Sequence, residues 1–147
     1  MTLVRPGDVS VDFGSASLDF DSGTGARRLR GEFLASFTVL GPSAAENLTL
    51  ALPDSKFEIL GARSVLRGQS SPSVTWNVRH DTNRGATGLD VFETNPVTTS
   101  TTTPETDDVG AGQSKLGTGE SLWFVTTATA GSVDEIAVTL LCRWRSD

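Results

Sequence analysis

The sequence predicts an all-β fold, a single jelly-roll or β-sandwich domain of about eight antiparallel strands. Three observations carry that expectation. Apolar and polar residues alternate with a period of two in several separate segments, the pattern of a strand with one buried face. The chain holds 15 Gly, is rich in Ser and Thr, and has few long helix-forming stretches. The strand-like segments are short and closely spaced, with turn residues between them. At 147 residues the chain is long enough to bury one core without metal or disulfide support.

Taken in order, residues 1–30 stand apart. Val9, Val11 and Phe13 alternate with polar residues, as do Leu18 and Phe20, before Asp21-Ser-Gly-Thr-Gly-Ala breaks the pattern. Two edge strands or an arm lying on a partner would both produce this, so 1–30 is set apart from a sandwich over 31–147. Phe33, Ala35, Phe37 and Val39 share one face of the next strand. In Pro42-Ser-Ala-Ala-Glu-Asn, Ser43 and Glu46 have capping-box spacing, which suits one helical turn. Leu48, Leu50 and Leu52 restart a strand that Pro53-Asp54 ends. Phe57, Ile59 and Ala62 to Leu66 form one more strand or a pair broken at Gly61, and Gly68-Gln-Ser-Ser-Pro72 reads as a turn.

The strand after that turn is the most regular. Val74, Trp76, Val78 and His80 lie on one face, with Thr75, Asn77 and Arg79 on the other. Asp81-Thr-Asn-Arg-Gly-Ala makes the next turn, ahead of a short strand around Leu89 and Val91. From about Asn95 to Gly119 the composition is mostly Thr, Ser, Gly, Pro and acids, a long surface connection in which Val97 to Thr103 could pair as an edge strand. Leu122, Phe124 and Thr126, a turn at Ala130-Gly-Ser, and a strand from Ile136 to Trp144 complete the chain as a hairpin. No internal repeat and no second domain is visible.

Charge and cysteine usage narrow the function classes. The formal net charge is −6, which argues against nucleic acid or an anionic membrane as partner. Only two of the twelve basic residues are Lys, and Arg suits bidentate protein contacts, although codon bias gives the same composition. Cys142 is the single cysteine and sits in an alternating strand, so it reads as a small buried hydrophobe. No signal-peptide or membrane-spanning run is present, and the expectation is a soluble protein made in a cytoplasm, where the acceptor pattern Asn47-Leu-Thr49 has no use.

No motif carries chemistry. His80 is flanked by Arg79 and Asp81, but the strand period turns both neighbours to the opposite face, so His80 reads as a structural or interface residue. The Gly-rich runs at 23–28 and 110–115 lack the Gly-Lys-Ser/Thr ending of a phosphate loop. Asp19 and Asp21 have the spacing of part of a calcium loop without its later ligands, and solvated acids are the simpler reading. One Cys and one His exclude a Cys/His metal site. The expectation is therefore no enzyme, no cofactor and no metal. Of the three Trp, Trp76 and Trp144 share a face with apolar neighbours, whereas Trp123 lies opposite Leu122 and Phe124 and is the candidate exposed or interfacial aromatic.

Three blocks together carry a resemblance: Ser73-Val-Thr-Trp-Asn-Val-Arg-His-Asp-Thr-Asn-Arg, the Thr98 to Thr103 tract, and Leu122-Trp-Phe-Val-Thr-Thr with Gly131-Ser-Val-Asp-Glu-Ile-Ala-Val-Thr. In this order they resemble small structural proteins of tailed bacteriophages, of the jelly-roll capsid decoration (cement) type. The match spans about Ala62 to Arg145 and leaves the first 60 residues unmatched. The resemblance implies a non-enzymatic virion protein on the capsid exterior that binds the major capsid protein and itself, as a homotrimer, and stabilises the shell; it transfers no catalytic residue. The contact surface expected for capsid or subunit is Val9, Val11, Phe13, Leu18, Phe20, the Arg27, Arg28 and Arg30 cluster, and Trp123. An ordinary pair of strands with a solvated basic loop would give the same N-terminal pattern. The alternative is a tail-fibre or baseplate β-domain recognising a host glycan or protein through Trp123 and the Asn95–Gly119 loop. A polysaccharide lyase on a β-sandwich would need clustered acids, Arg or Tyr in a groove, and no such cluster is seen.

Overall fold

The computed structural model describes residues 2–3, 10–12, 17–20 and 27–146, with side chains from 31 to 146. Among these every regular element is a strand: β1 (Thr2–Leu3), β2 (Ser10–Asp12), β3 (Ser17–Phe20), β4 (Arg27–Arg30), β5 (Glu32–Leu40), β6 (Asn47–Ala51), β7 (Phe57–Asp81), β8 (Leu89–Asp90), β9 (Val97–Thr98), β10 (Glu105–Asp108), β11 (Lys115–Leu116) and β12 (Ser121–Trp144). All pairings are antiparallel, and the fold is the all-β sandwich that the alternation predicts.

Its backbone is one ribbon. β7 and β12 run antiparallel from the pair Phe57 and Trp144 to the pair Asp81 and Ser121. Along its first half (57–68 with 132–144) the ribbon is flanked by β5 on β12 and by β10 and β11 on β7. Along its second half (72–81 with 121–130) the neighbours are β6 on β12 and β8 and β9 on β7. The ribbon folds back on itself so that the two halves face each other. Phe37 on β5 stands opposite Val138, fourteen residues beyond Phe124 on β12, a span of about 46 Å in an extended strand. Yet the Phe37 and Phe124 rings lie 5.3 Å apart, edge to face. Only a crease between the halves brings them together.

The crease is where the sequence placed two turns, and the turn reading is corrected here. Gly68–Pro72 and Ala130–Ser132 do not end strands; they sit opposite one another and bend both strands at one level. Ser70 and Ser71 take φ of 60° and 54°, and Gly131 takes 65°. Gly131 is required twice over, for its left-handed φ and because a Cβ there would lie 2.5 Å from the Ser70 carbonyl oxygen. Three of the ribbon's four register shifts fall between Thr126 and Glu135, the bulges that let a twisted ribbon turn a corner. The expected C-terminal hairpin is therefore one continuous strand whose two halves pair with β7 and not with each other.

The alternation identified the core well. Phe33, Ala35, Phe37 and Val39 of β5 meet Trp76, Val78, Phe124, Ile136, Val138 and Leu140 in a single cluster. Cys142 is buried in it, and desolvation pushes its thiol up to about 12. Trp144 stacks on Phe33 with ring centroids 4.4 Å apart. The Ser43–Glu46 segment is a turn and not a helical turn, although the Ser43 N–H does donate to the Glu46 carboxylate at 2.8 Å as the capping box requires. Of residues 1–30, β2 pairs with β5, β1 with β2, and β3 with β4.

Candidate functional site

The second half of the ribbon carries the molecule's polar chemistry. It is flanked by the segment from 82 to 120, which adds only the short strands β8 and β9 there and sends β10 and β11 to the first half, so main-chain groups of the second half need side-chain partners. Asn77, expected on the polar face, is 1% exposed and fully bonded. Its amide nitrogen donates to the Phe92 carbonyl at 3.0 Å and to Asn95 Oδ1 at 2.7 Å, and its Oδ1 accepts from the N–H groups of Val78 and Phe92. Trp76 Nε1 donates to Thr98 Oγ1 at 2.9 Å, and Thr98 in turn bonds Ser64 Oγ at 2.7 Å. A buried indole N–H needs such an acceptor, and the Thr run supplies it from a strand paired alongside. The predicted edge strand within Val97 to Thr103 is present as β9, but Thr98 is wholly buried and not a surface residue.

His80 is the second lock. It faces inward, as the strand period requires, and is 2% exposed. Nε2 lies 2.7 Å from the Gln113 carbonyl, which can only accept, so Nε2 carries a hydrogen. Nδ1 lies 2.9 Å from Glu120 Oε1, and one proton sits between that pair. The other Glu120 oxygen accepts from the Gly117 N–H. Both ring nitrogens and both carboxylate oxygens are thus spent on closing the loop from 113 to 120. Arg79 and Asp81 take no part: Arg79 Nε pairs with Asp90 at 2.6 Å on the opposite face.

Other sequence candidates resolve the same way. The 110–115 Gly run is a turn that receives an anion from its own chain, the Glu93 carboxylate accepting from the Ala111 N–H at 3.0 Å. Glu105 accepts from the Thr99 hydroxyl and the Ser100 N–H, both at 2.9 Å, and closes the Thr-rich turn. Among the described residues no group of three His, Cys, Asp or Glu is placed to hold a metal. A shallow cavity of about 300 Å³ on the outer face of the first half is lined by Leu34, Leu60 and Leu141.

The site residues expected from sequence divide sharply. Val9 and Phe13 lie outside the described residues, as does Asp21 of the calcium-like spacing. Val11, Leu18, Phe20, Arg27, Arg28 and Arg30 fall in strands whose pairing is described but whose side chains are not, and Asp19 is in the same position. Trp123 is the one that can be placed, and the expectation of an exposed aromatic is corrected: it is 1% exposed. The loop after β7 folds back over it, with the Arg84 guanidinium 4.5 Å from the ring centroid. Arg84 is anchored there by Thr49 Oγ1 at 2.9 Å and Asn47 Oδ1 at 2.5 Å, so the two polar residues of the acceptor pattern hold the cover. Gly88, at φ +80°, lies against the indole where any side chain would collide. A period-two reading puts Trp123 on the face away from the core, which is right, but does not reveal the loop that covers that face. No family model matches this chain, and no curated protein is similar to it in sequence at a significant level.

Proposed function

We propose that this chain is a non-enzymatic structural protein of a tailed-phage virion, a decoration protein that binds the outer surface of the capsid and stabilises it. The observation that carries this reading is the joint use of the three blocks that resemble phage structural proteins. Trp76 of the first block is hydrogen-bonded to Thr98 of the second and lies opposite Thr126 of the third. They act as one scaffold, and the groups with chemical potential in them are consumed in holding it. A protein that must stand on a shell at many equivalent positions needs rigidity and multivalent contact more than a reactive cleft.

In this reading the contact surface comes from residues 1–30, and the major capsid protein and further copies of the chain are the partners. Deleting residues 1–30 is expected to abolish binding to capsids while leaving a folded β-domain, measured by co-sedimentation with particles and by circular dichroism. Truncated protein that still decorates particles overturns the assignment of the surface. Density over the tail and not the head in labelled virions overturns the decoration reading itself. Burial of Trp123 removes the aromatic on which glycan recognition by a tail domain depended.

A further inference from the structure

Two of the open edges of the described sandwich, β6 and β10, differ in charge. β6 pairs only with β12, and β10 only with β7, so each leaves one side of its backbone without a strand among the described residues. At β6 the phase of the ladder can be worked out. The Val91 N–H donates to the Val78 carbonyl at 2.9 Å, so Val78 turns its main-chain groups away from β12. Phe124, opposite Val78, then turns its own toward Leu48 on β6, and the Thr126 N–H donating to the Glu46 carbonyl follows the same phase. Asn47 and Thr49 are out of phase and turn their N–H and C=O groups to the open side, where the Asn47 carbonyl accepts from the Arg84 guanidinium at 3.4 Å and the Thr49 groups have no strand beside them among the described residues.

Along the strand itself this edge has no charged guard. From Asn47 to Pro53 the sequence Asn-Leu-Thr-Leu-Ala-Leu-Pro contains no charge, and Leu52 is 74% exposed. The charge lying over the strand itself is Arg84, whose hydrogen bonds all go to uncharged acceptors on Asn47 and Thr49, while Glu46, which accepts from the Ser43 N–H, and Asp54 lie beyond its two ends. β10 is the reverse: Glu-Thr-Asp-Asp, three carboxylates in four residues, none reached by an ion pair among the described residues.

We propose that the β6 edge of one copy pairs with the acidic β10 edge of a second copy, with Arg84 set against the exposed Asp108. The two surfaces are different patches of the same chain, so the contact is head to tail. Copies linked in this way close into a ring or extend as a filament, according to the rotation between them. Main-chain hydrogen bonds from Thr49 supply the strand pairing, and the Arg84 charge selects an acidic strand over a second β6. The inference deepens the self-association in the proposed function, and its test uses free protein without capsids, so the two can fail separately.

Sedimentation of the full chain across a concentration series to about 1 mM is expected to show association that weakens with added salt. Arg84→Glu and Asp108→Arg are each expected to lower the apparent association constant at least about tenfold, and the double variant to restore it. Thr49→Pro is expected to block association with the fold retained, because its N–H faces outward and leaves the ladder intact. A monomer at every concentration and salt overturns the proposal. So does an Arg84→Glu effect that Asp108→Arg does not share, which would mean β6 pairing with β6; the circular dichroism spectrum of each variant shows that it is folded.

Discussion

The two halves of the folded ribbon are held by different physics. In the first half, where β5, β10 and β11 pair alongside, the inner face is Phe57, Ile59, Leu66, Ile136, Val138 and Leu140, and packing suffices. The second half has only β8 and β9 beside it on β7, and the rest of the segment from 82 to 120 joins it through loops. Of the six buried polar residues among the described residues, only Ser64 belongs to the first half, and even Ser64 bonds to Thr98 of the segment from 82 to 120. Regular pairing satisfies its own backbone, whereas a covering loop leaves main-chain groups that side chains must complete. The first half therefore depends on shape, and the second on a small number of irreplaceable hydrogen bonds.

The largest break in that comparison is expected at Trp76, which ties the second half to the segment that lies over it. Its ring packs edge to face on Phe92 at 5.4 Å and lies 5.8 Å from Phe124, while its indole nitrogen holds Thr98. Trp76→Ala is expected to cost about 3–5 kcal/mol, read by urea unfolding. A loss below about 1 kcal/mol would mean that the ring is not the joint between the second half and that segment.

Next in size is the crease. Gly131→Ala forces a side chain into left-handed φ and against the Ser70 carbonyl, with a cost of about 2 kcal/mol or more from the backbone alone. Thermal unfolding measures it, and Ala137→Gly, in the regular ladder of the first half, provides the comparison. If the two are equal, the crease is not where the ribbon is specified.

Thr98→Val keeps the shape of the side chain and deletes only its oxygen. The Trp76 indole N–H and the Ser64 hydroxyl then lose their shared partner, and a loss of about 1–3 kcal/mol is expected. Hydrogen exchange sharpens the test: amides from 95 to 105 should open first, while those of β5 keep their protection. Uniform loss of protection in both halves would show that the distinction between them does not exist.

How far the sequence was legible follows the same division. The alternation at Phe33 to Val39 and at Val74 to His80 reports directly on strands with one face in the core, so the fold class and most of the core could be read from it. The crease could not, because Gly131 and the Ser70–Ser71 pair look like turn residues whether they reverse a chain or bend a ribbon. Thr98 was hidden in a low-complexity run, although a buried Trp is a standing signal that an acceptor must exist. Trp123 was misread because its cover arrives from Arg84, a contact that no local period encodes. Of the candidate surface in residues 1–30, the pairing of β2 with β5 is placed and the side chains are not.

The smallest expected effect lies at the edge of the first half, on Asp107 of β10. This half-buried carboxyl has an Oδ2 without a hydrogen-bond partner, and its pKa is raised, first by desolvation and then by the charges of Glu105 and Asp108. A carboxyl whose folded pKa lies above its unfolded value favours folding most when protonated. Its contribution is fully present below the ordinary carboxyl value and is lost as pH rises through the folded pKa. Asp107→Asn, which cannot take the charge, is therefore expected to melt slightly higher than the parent at neutral pH and to converge with it in acid. Melting temperatures across a pH series decide the matter. A variant less stable than the parent at neutral pH would mean that the carboxylate has a donor in solution, and that the β10 edge is held by a bond and not merely tolerated beside apolar packing.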